Sequence, residues 1–189
     1  MNPYLKRLEE IFGAIDSMYS AALDFYEFGC SGCTDNCCRT KFHHHMLAEE
    51  LYLAEGLGLL GADKRAEIIS RAGEVVRIHN ASPEDVRVMC PLNEEGLCIL
   101  YAYRPMICRI HGVPYEMQKR DGSVEYGIGC YRFMEEKVNE DMGYFMFNRT
   151  MFYIEMANVE KEARKNLNYT GNYSRTTAEM ILDIAKKDQ

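Results

Sequence analysis

Apolar side chains near the start of the chain recur at alternating steps of three and four residues. This spacing is typical of one buried face of an α-helix. It predicts a helix of about six turns that ends before Gly29. The apolar positions are Leu5, Leu8, Phe12, Ile15, Tyr19, Ala22 and Tyr26.

The same periodicity predicts further helices along the chain. A second helix should run from His43 to about Glu55 and a third from about Asp63 to His79. A long helix should follow the last cysteine, Cys130. The inward positions are Leu47, Leu51 and Ala54 in the second helix, Ile68, Ala72, Val75 and Val76 in the third, and Phe145, Phe152, Met156, Val159 and Ala163 in the long one.

Capping residues predict two more helix boundaries. The segment 82–85, Ser-Pro-Glu-Asp, is typical of a helix start, with serine as the N-cap and proline at the first helical position. Thr176 followed by Glu179 predicts a capping box for the last helix. Lys186 and Lys187 suit the negative end of that helix.

The segment between Val113 and Tyr126 predicts a small β-hairpin that turns at Asp121-Gly122. No internal repeat, low-complexity tract or linker interrupts the pattern. The predicted fold class is therefore mainly α. We expect a single helical domain over residues 1–189, with cysteine-bearing loops between helices and one small β-hairpin.

Composition agrees with a folded globular protein, because 47% of the residues are apolar and 27% are charged. A net charge of −7 and a pI near 5.3 argue against nucleic acid as a partner, since phosphate binding needs a basic surface. No apolar run is long enough for a membrane span, and the N-terminus lacks the order of a signal peptide. These features predict a cytoplasmic protein without a membrane partner.

Eight cysteines dominate the candidate chemistry. In a reducing compartment, closely spaced cysteines bind metal or do redox work more often than they form lasting disulfides. We therefore predict that all eight are metal ligands, in a cysteine-cluster region of about residues 30–130. The first cysteine group is Cys30, Cys33, Cys37 and Cys38, and the second cysteine group is Cys90, Cys98, Cys108 and Cys130.

The spacing within the first cysteine group constrains how the ligands divide. Cys30 and Cys33 are separated by two residues in a glycine-containing turn, so their thiolates can converge on one ion. Side chains of adjacent residues such as Cys37 and Cys38 diverge, especially in an extended backbone. We expect these neighbours to serve different centres, or only one of them to bind. Eight thiols would then form two sets of four.

Other side chains near the thiols are candidate partners of a metal centre. Arg104 and Arg109 are predicted cofactor-binding residues, because a guanidinium can offset anionic sulfur and donate hydrogen bonds to it. Ordinary surface ion pairs are the alternative for both arginines. His111 and the triplet at 43–45 are further candidate ligands, although consecutive histidines point in different directions around a helix.

The cysteines also carry a resemblance to a known family. The pattern CxxCxxxCC, then Cys-Pro, then CxxYxxRPxxCR and a last lone cysteine spans about residues 30–130. It resembles a family of cysteine-cluster proteins described as zinc- or iron-chelating domains, whose members mostly have no defined activity. Flagellin lysine N-methylase contains a similar cluster, so the resemblance implies that an iron–sulfur centre and methyl transfer are possible functions. His111 departs from the pattern, in which an aromatic residue commonly follows Cys-Arg.

The spacing favours an iron–sulfur cluster over zinc, because structural zinc usually takes two Cys-x-x-Cys pairs and only one is present. The leading hypothesis is a metal-binding protein that holds one or two iron–sulfur clusters or zinc ions, with an unidentified substrate or redox partner. One alternative is a zinc-stapled interaction module without catalysis. Another is an enzyme resembling S-adenosylmethionine-dependent methyltransferases. The sequence does not decide whether the protein is an enzyme.

Overall fold

A computed structural model describes residues 3–29, 33, 36–82 and 86–187. The fold is mainly α, as predicted, and its two small sheets are antiparallel and two-stranded. The helices are α1 (Pro3–Phe25), α2 (Leu47–Gly58), α3 (Ala62–Ala81), α4 (Met106–Ile110), α5 (Tyr131–Lys137), α6 (Thr150–Asn166) and α7 (Thr177–Lys187). The strands are β1 (Asn93–Glu94), β2 (Leu97–Cys98), β3 (Tyr115–Gln118) and β4 (Val124–Gly127), and short 3-10 turns cover Cys37–Arg39 and Tyr101–Tyr103.

The helix predicted from the N-terminal hydrophobic stripe is confirmed as α1. It ends at Phe25, and the following turn includes Glu27 in a left-handed conformation with φ of 46°. A non-glycine residue in that conformation cannot continue a right-handed helix. The predicted stripe positions are buried except for Tyr19, which is half-buried.

Two helix starts were predicted too early. The helix α2 begins at Leu47 and not at His43, because His44 exchanges two backbone hydrogen bonds with Arg175 and is held in a β-bridge. The helix α6 begins at Thr150, so Phe145 precedes it. The segment before α6 forms a parallel bridge to β3, with Asn148 opposite Glu116.

The hairpin and the last helix cap are confirmed. Strands β3 and β4 pair around the turn at Asp121-Gly122, where Gly122 has a φ of 86°. Thr176 and Glu179 form the reciprocal hydrogen bonds of a capping box at the start of α7. The helix start predicted at Ser82 falls mainly on residues 83–85, which lie outside the described residues, and residues 86–90 are not helical.

The chain divides into two compact units. Unit 1 contains Met1–Asp35 and Met106–Lys161, and unit 2 contains Asn36–Pro105 and Glu162–Gln189. In unit 1, α1 packs against α4. In unit 2, α7 packs against α2 and α3, around a core that includes Leu53, Ile68 and Ile181. The single domain over 1–189 stays a prediction, and none of the described helices is long and apolar enough to cross a membrane.

Candidate metal centre

The described cysteines are divided between the two units. Unit 2 contains Cys37, Cys38, Cys90 and Cys98, whereas unit 1 contains Cys33, Cys108 and Cys130. Each of these seven is a thiol and not part of a disulfide, and Cys30 lies outside the described residues. The boundary between the units therefore cuts the first cysteine group after Asp35. Cys37 and Cys38 therefore lie in the same unit as Cys90 and Cys98.

A capped 3-10 turn carries the two adjacent cysteines. The side-chain oxygen of Asn36 accepts a hydrogen bond from the backbone N–H of Cys38 at 2.9 Å. The N–H of Thr40 closes the turn by donating to the carbonyl of Cys37. The backbone is helical here and not extended, and the Cys37 and Cys38 side chains are close enough to share a hydrogen bond. The two neighbours therefore do not diverge as an extended backbone would require.

A small hairpin brings the other two cysteines of unit 2 together. The segment from Cys90 to Asn93 forms a tight turn, with the N–H of Asn93 donating to the carbonyl of Cys90 at 3.0 Å. Asn93 then begins β1 and lies directly opposite Cys98 in β2. The two strands are joined by Glu95 and Gly96, whose φ angles of 50° and 88° suit a two-residue hairpin turn.

One backbone hydrogen bond joins this hairpin to the cysteine-bearing turn. The N–H of Cys90 donates to the carbonyl of Cys38 at 2.8 Å. The two residues are far apart in sequence, so the bond fixes a contact that no local pattern specifies. It holds the backbones of Cys38 and Cys90 side by side.

The pKa values of the thiols reflect the same proximity. The pKa of Cys38 is lowered to about 6, mainly by hydrogen bonding with the Cys37 thiol and to a smaller extent by the Asn93 side chain, while burial opposes the shift. Burial raises the pKa of Cys90 to about 12, although the backbone N–H of Leu92 opposes the rise. The charges of Cys98 and Cys38 raise the Cys90 pKa as well. Cys37 thus influences the pKa of Cys38, and both Cys38 and Cys98 influence the pKa of Cys90.

The chemistry of this donor set suits a metal that prefers sulfur, since four thiolates form the usual closed site of structural zinc and also hold iron. The backbone N–H of Leu92 already points at the Cys90 sulfur, and hydrogen bonds of this kind tune metal centres. Over residues 3–29, 33, 36–82 and 86–187, however, no three His, Cys, Asp or Glu side chains form a ready ligand group. The four cysteines therefore suit a metal ion by their residue type and by the positions of their backbones.

The described cysteines of unit 1 have different surroundings. Cys108 is exposed on α4. Cys130 is the N-cap of α5, where its sulfur accepts a hydrogen bond from the N–H of Phe133 at 3.4 Å. The N–H of Cys130 donates to the carbonyl of Gly112. Helix capping thus gives Cys130 a structural role, and metal binding by Cys30, Cys33, Cys108 and Cys130 stays a prediction.

The two candidate arginines are buried in different units. In unit 2, Arg104 donates to the carbonyl of Tyr101 at 2.6 Å and lies over the ring of the same residue. In unit 1, Arg109 forms an ion pair with Asp16 at 2.5 Å and lies over the ring of Phe12. Asp16 offsets the charge of Arg109. A role for either arginine beside a metal centre stays a prediction.

Only the central residue of the histidine triplet is buried. His44 is 3% exposed and its Nε2 lies 3.1 Å from the hydroxyl of Thr177. Burial, with smaller contributions from the charges of His43 and His45, lowers the pKa of His44 to about 4. His43 and His45 are exposed. His111 donates its backbone N–H to Ile107, and its carbonyl accepts from the hydroxyl of Tyr19.

Sequence reasoning missed the two asparagines beside the thiols. Asn36 caps the turn that carries Cys37 and Cys38, and Asn93 begins the strand opposite Cys98. Asparagine is typical of caps and turns because its short side chain bonds to nearby backbone groups. The sequence signals for these roles were the position of Asn36 just before the cysteine pair and that of Asn93 three residues after Cys90.

Comparison with models of protein families, with curated proteins and with solved structures finds no match for this chain. Membership of the cysteine-cluster family accordingly stays a prediction that depends on the quoted motif.

Proposed function

We propose that this chain is a metal-binding protein whose main centre lies in unit 2 and is formed by Cys37, Cys38, Cys90 and Cys98. The hydrogen bond from the N–H of Cys90 to the carbonyl of Cys38 carries this proposal. It brings together the turn with the adjacent cysteines and the hairpin that ends at Cys98. An ion held by all four sulfurs would cross-link three segments of unit 2 that are separated in sequence.

The proximity of the Cys37 and Cys38 side chains favours a single ion over a cluster. Zinc–sulfur bonds of about 2.3 Å in a tetrahedron place neighbouring sulfurs about 3.8 Å apart. Cys37 and Cys38 are within hydrogen-bonding distance of each other, which suits two ligands of one ion. In a four-iron cluster each cysteine binds a different iron, and the sulfurs lie further apart. We therefore favour one zinc or one iron ion over the cluster expected from the spacing alone.

Such a centre supports a structural role. The hairpin has only two residues in each strand, and a sheet of that size is not stable by itself. An ion would hold it against the turn at Cys37–Arg39. Binding energy of this kind contributes directly to folding, because the unfolded chain has no preformed site.

Metal analysis of protein purified without oxygen tests the proposal. We expect about one zinc or iron per chain at this centre. Cys38→Ser and Cys90→Ser should each lose the same single equivalent, because each removes a ligand of one ion. The double variant should lose no more than either single variant.

Cys108→Ser is the matched control, because it removes an exposed thiol of unit 1. It should retain the equivalent that the unit 2 variants lose. Several iron ions per chain, with an equal number of inorganic sulfide ions, would show a cluster instead of a single ion. Full metal content in both Cys38→Ser and Cys90→Ser would disprove the centre.

A further inference from the structure

Asn93 lies opposite Cys98 in the small hairpin, and its side chain is only 7% exposed. Its Oδ1 atom accepts a hydrogen bond from the N–H of Gly96 at 3.2 Å. This bond fixes the plane of the amide group, so the Nδ2 atom must point to the other side.

The Nδ2 atom is buried and meets no acceptor at full hydrogen-bonding geometry. Buried polar atoms in folded proteins almost always have a partner, so an exception calls for an explanation. The backbone of Asn93 bonds to the carbonyl of Cys90 and pairs with Cys98. The Asn93 side chain lowers the pKa of Cys38, as expected for an amide close to that sulfur. The acceptor that this amide lacks is best supplied by a sulfur that carries negative charge.

We propose that Asn93 is a positioning residue of the metal centre, whose Nδ2–H donates a hydrogen bond to the Cys38 sulfur when that sulfur binds the ion. This inference depends on the proposed function. Hydrogen bonds to charged acceptors are stronger than those between neutral groups. A sulfur bound to metal keeps its negative charge, so metal binding and the amide hydrogen bond should stabilise each other.

The expected effect is on affinity and on competition by protons. Removing a group that supports a metal ligand typically lowers affinity about 10-fold or more. Without the amide, protons would compete better for the Cys38 sulfur. Metal should therefore be released at a higher pH.

Two variants separate the hydrogen bond from other effects. Asn93→Asp keeps an oxygen that can accept from Gly96 and removes the donor. Asn93→Leu also removes the donor but adds no charge. Asn172→Asp is the matched control, because this exposed residue of unit 2 gains the same charge outside the cysteine-bearing turn and hairpin.

The experiment uses the full chain and Co²⁺ as the probe. The charge-transfer absorption between thiolate and cobalt reports occupancy, and chelator competition gives the affinity. We expect both Asn93 variants to bind Co²⁺ about 10-fold more weakly and to release it at a higher pH than the wild type. Asn172→Asp should match the wild type. Circular dichroism of the metal-free proteins shows whether a variant has lost folded structure. The energy of the cobalt band shows whether the bond between the sulfurs and the metal has changed.

The outcomes distinguish this inference from the proposed function. No Co²⁺ binding by the wild type, or binding that survives Cys38→Ser, would overturn the proposed centre itself. Normal binding by the wild type with unchanged affinity and release pH in both Asn93 variants would overturn only the inference about Asn93. An effect of Asn93→Asp without one of Asn93→Leu would also overturn it, because charge and not the lost donor would then be the cause.

Discussion

Protonation of His44 should make unit 2 sensitive to acid. The side chain is buried, and burial lowers its pKa from 6.5 to about 4 in the folded protein. A group whose folded pKa is lowered stabilises the fold above its unfolded pKa and loses that contribution as the pH falls. The loss should therefore begin near pH 6.5 and continue to about pH 4.

The size of this effect follows from the shift. A shift of one pKa unit corresponds to about 1.4 kcal/mol. Linkage then gives a loss of about 2 kcal/mol by pH 5 and about 3 kcal/mol by pH 4 for His44 alone. This is a large part of the stability of an ordinary domain, which is roughly 5–15 kcal/mol.

Urea unfolding at several pH values between 7.5 and 4 measures the effect. The difference in unfolding free energy between the wild type and His44→Gln should shrink by about 3 kcal/mol over this range. Both proteins keep all cysteines, so acid release of metal cancels in the difference. His43→Gln and His45→Gln are the comparison variants: both residues are exposed and contribute less than burial to the His44 shift, so these variants should keep most of the acid-dependent loss. Parallel pH curves for the wild type and His44→Gln would refute the reasoning.

The remaining predictions concern packing in unit 2. Tyr173→Phe removes the hydroxyl that donates to the buried carboxylate of Glu50 at 2.6 Å, and should lower the unfolding free energy by about 2 kcal/mol. The Tyr169 hydroxyl forms its hydrogen bond at the exposed surface, so Tyr169→Phe should lower the unfolding free energy by less than about 1 kcal/mol. Equal losses in the two tyrosine variants would contradict the argument from burial. Gly56→Ala should destabilise by about 1–3 kcal/mol, because a Cβ there would lie 2.5 Å from an aromatic ring. Gly73→Ala, with open space around it, should stabilise by up to about 1 kcal/mol in the same urea assay. Destabilisation by both glycine variants would refute the steric argument.

Local signals in the sequence predicted the elements that depend on local physics. The stripe of α1 identifies its buried face, because periodicity alone decides which side of a helix is apolar. The Thr176–Glu179 box and the Asp121-Gly122 turn were predictable for the same reason, since each is completed within a few residues. These features need no knowledge of the rest of the fold.

Long-range pairing set the boundaries that the sequence did not predict. Residues 43–46 were predicted to begin the second helix, yet His44 pairs with Arg175, far along the chain. The segment before α6 likewise pairs with β3 through Asn148 and Glu116. In both places the backbone gains partners that a local helix would have to give up. No pattern within either segment shows that such a partner exists.

Long-range pairing also decides which cysteines lie close together. Proximity in sequence joins Cys33 to Cys37, but the boundary between the compact units lies between them. The bond between Cys90 and Cys38 instead connects residues of the two cysteine groups. A ligand set is defined by where backbones meet, and residue spacing constrains only ligands within one turn. Cys37 and Cys38 also show that adjacent thiols need not separate, because a capped helical turn brings their sulfurs into contact where an extended strand would turn them apart.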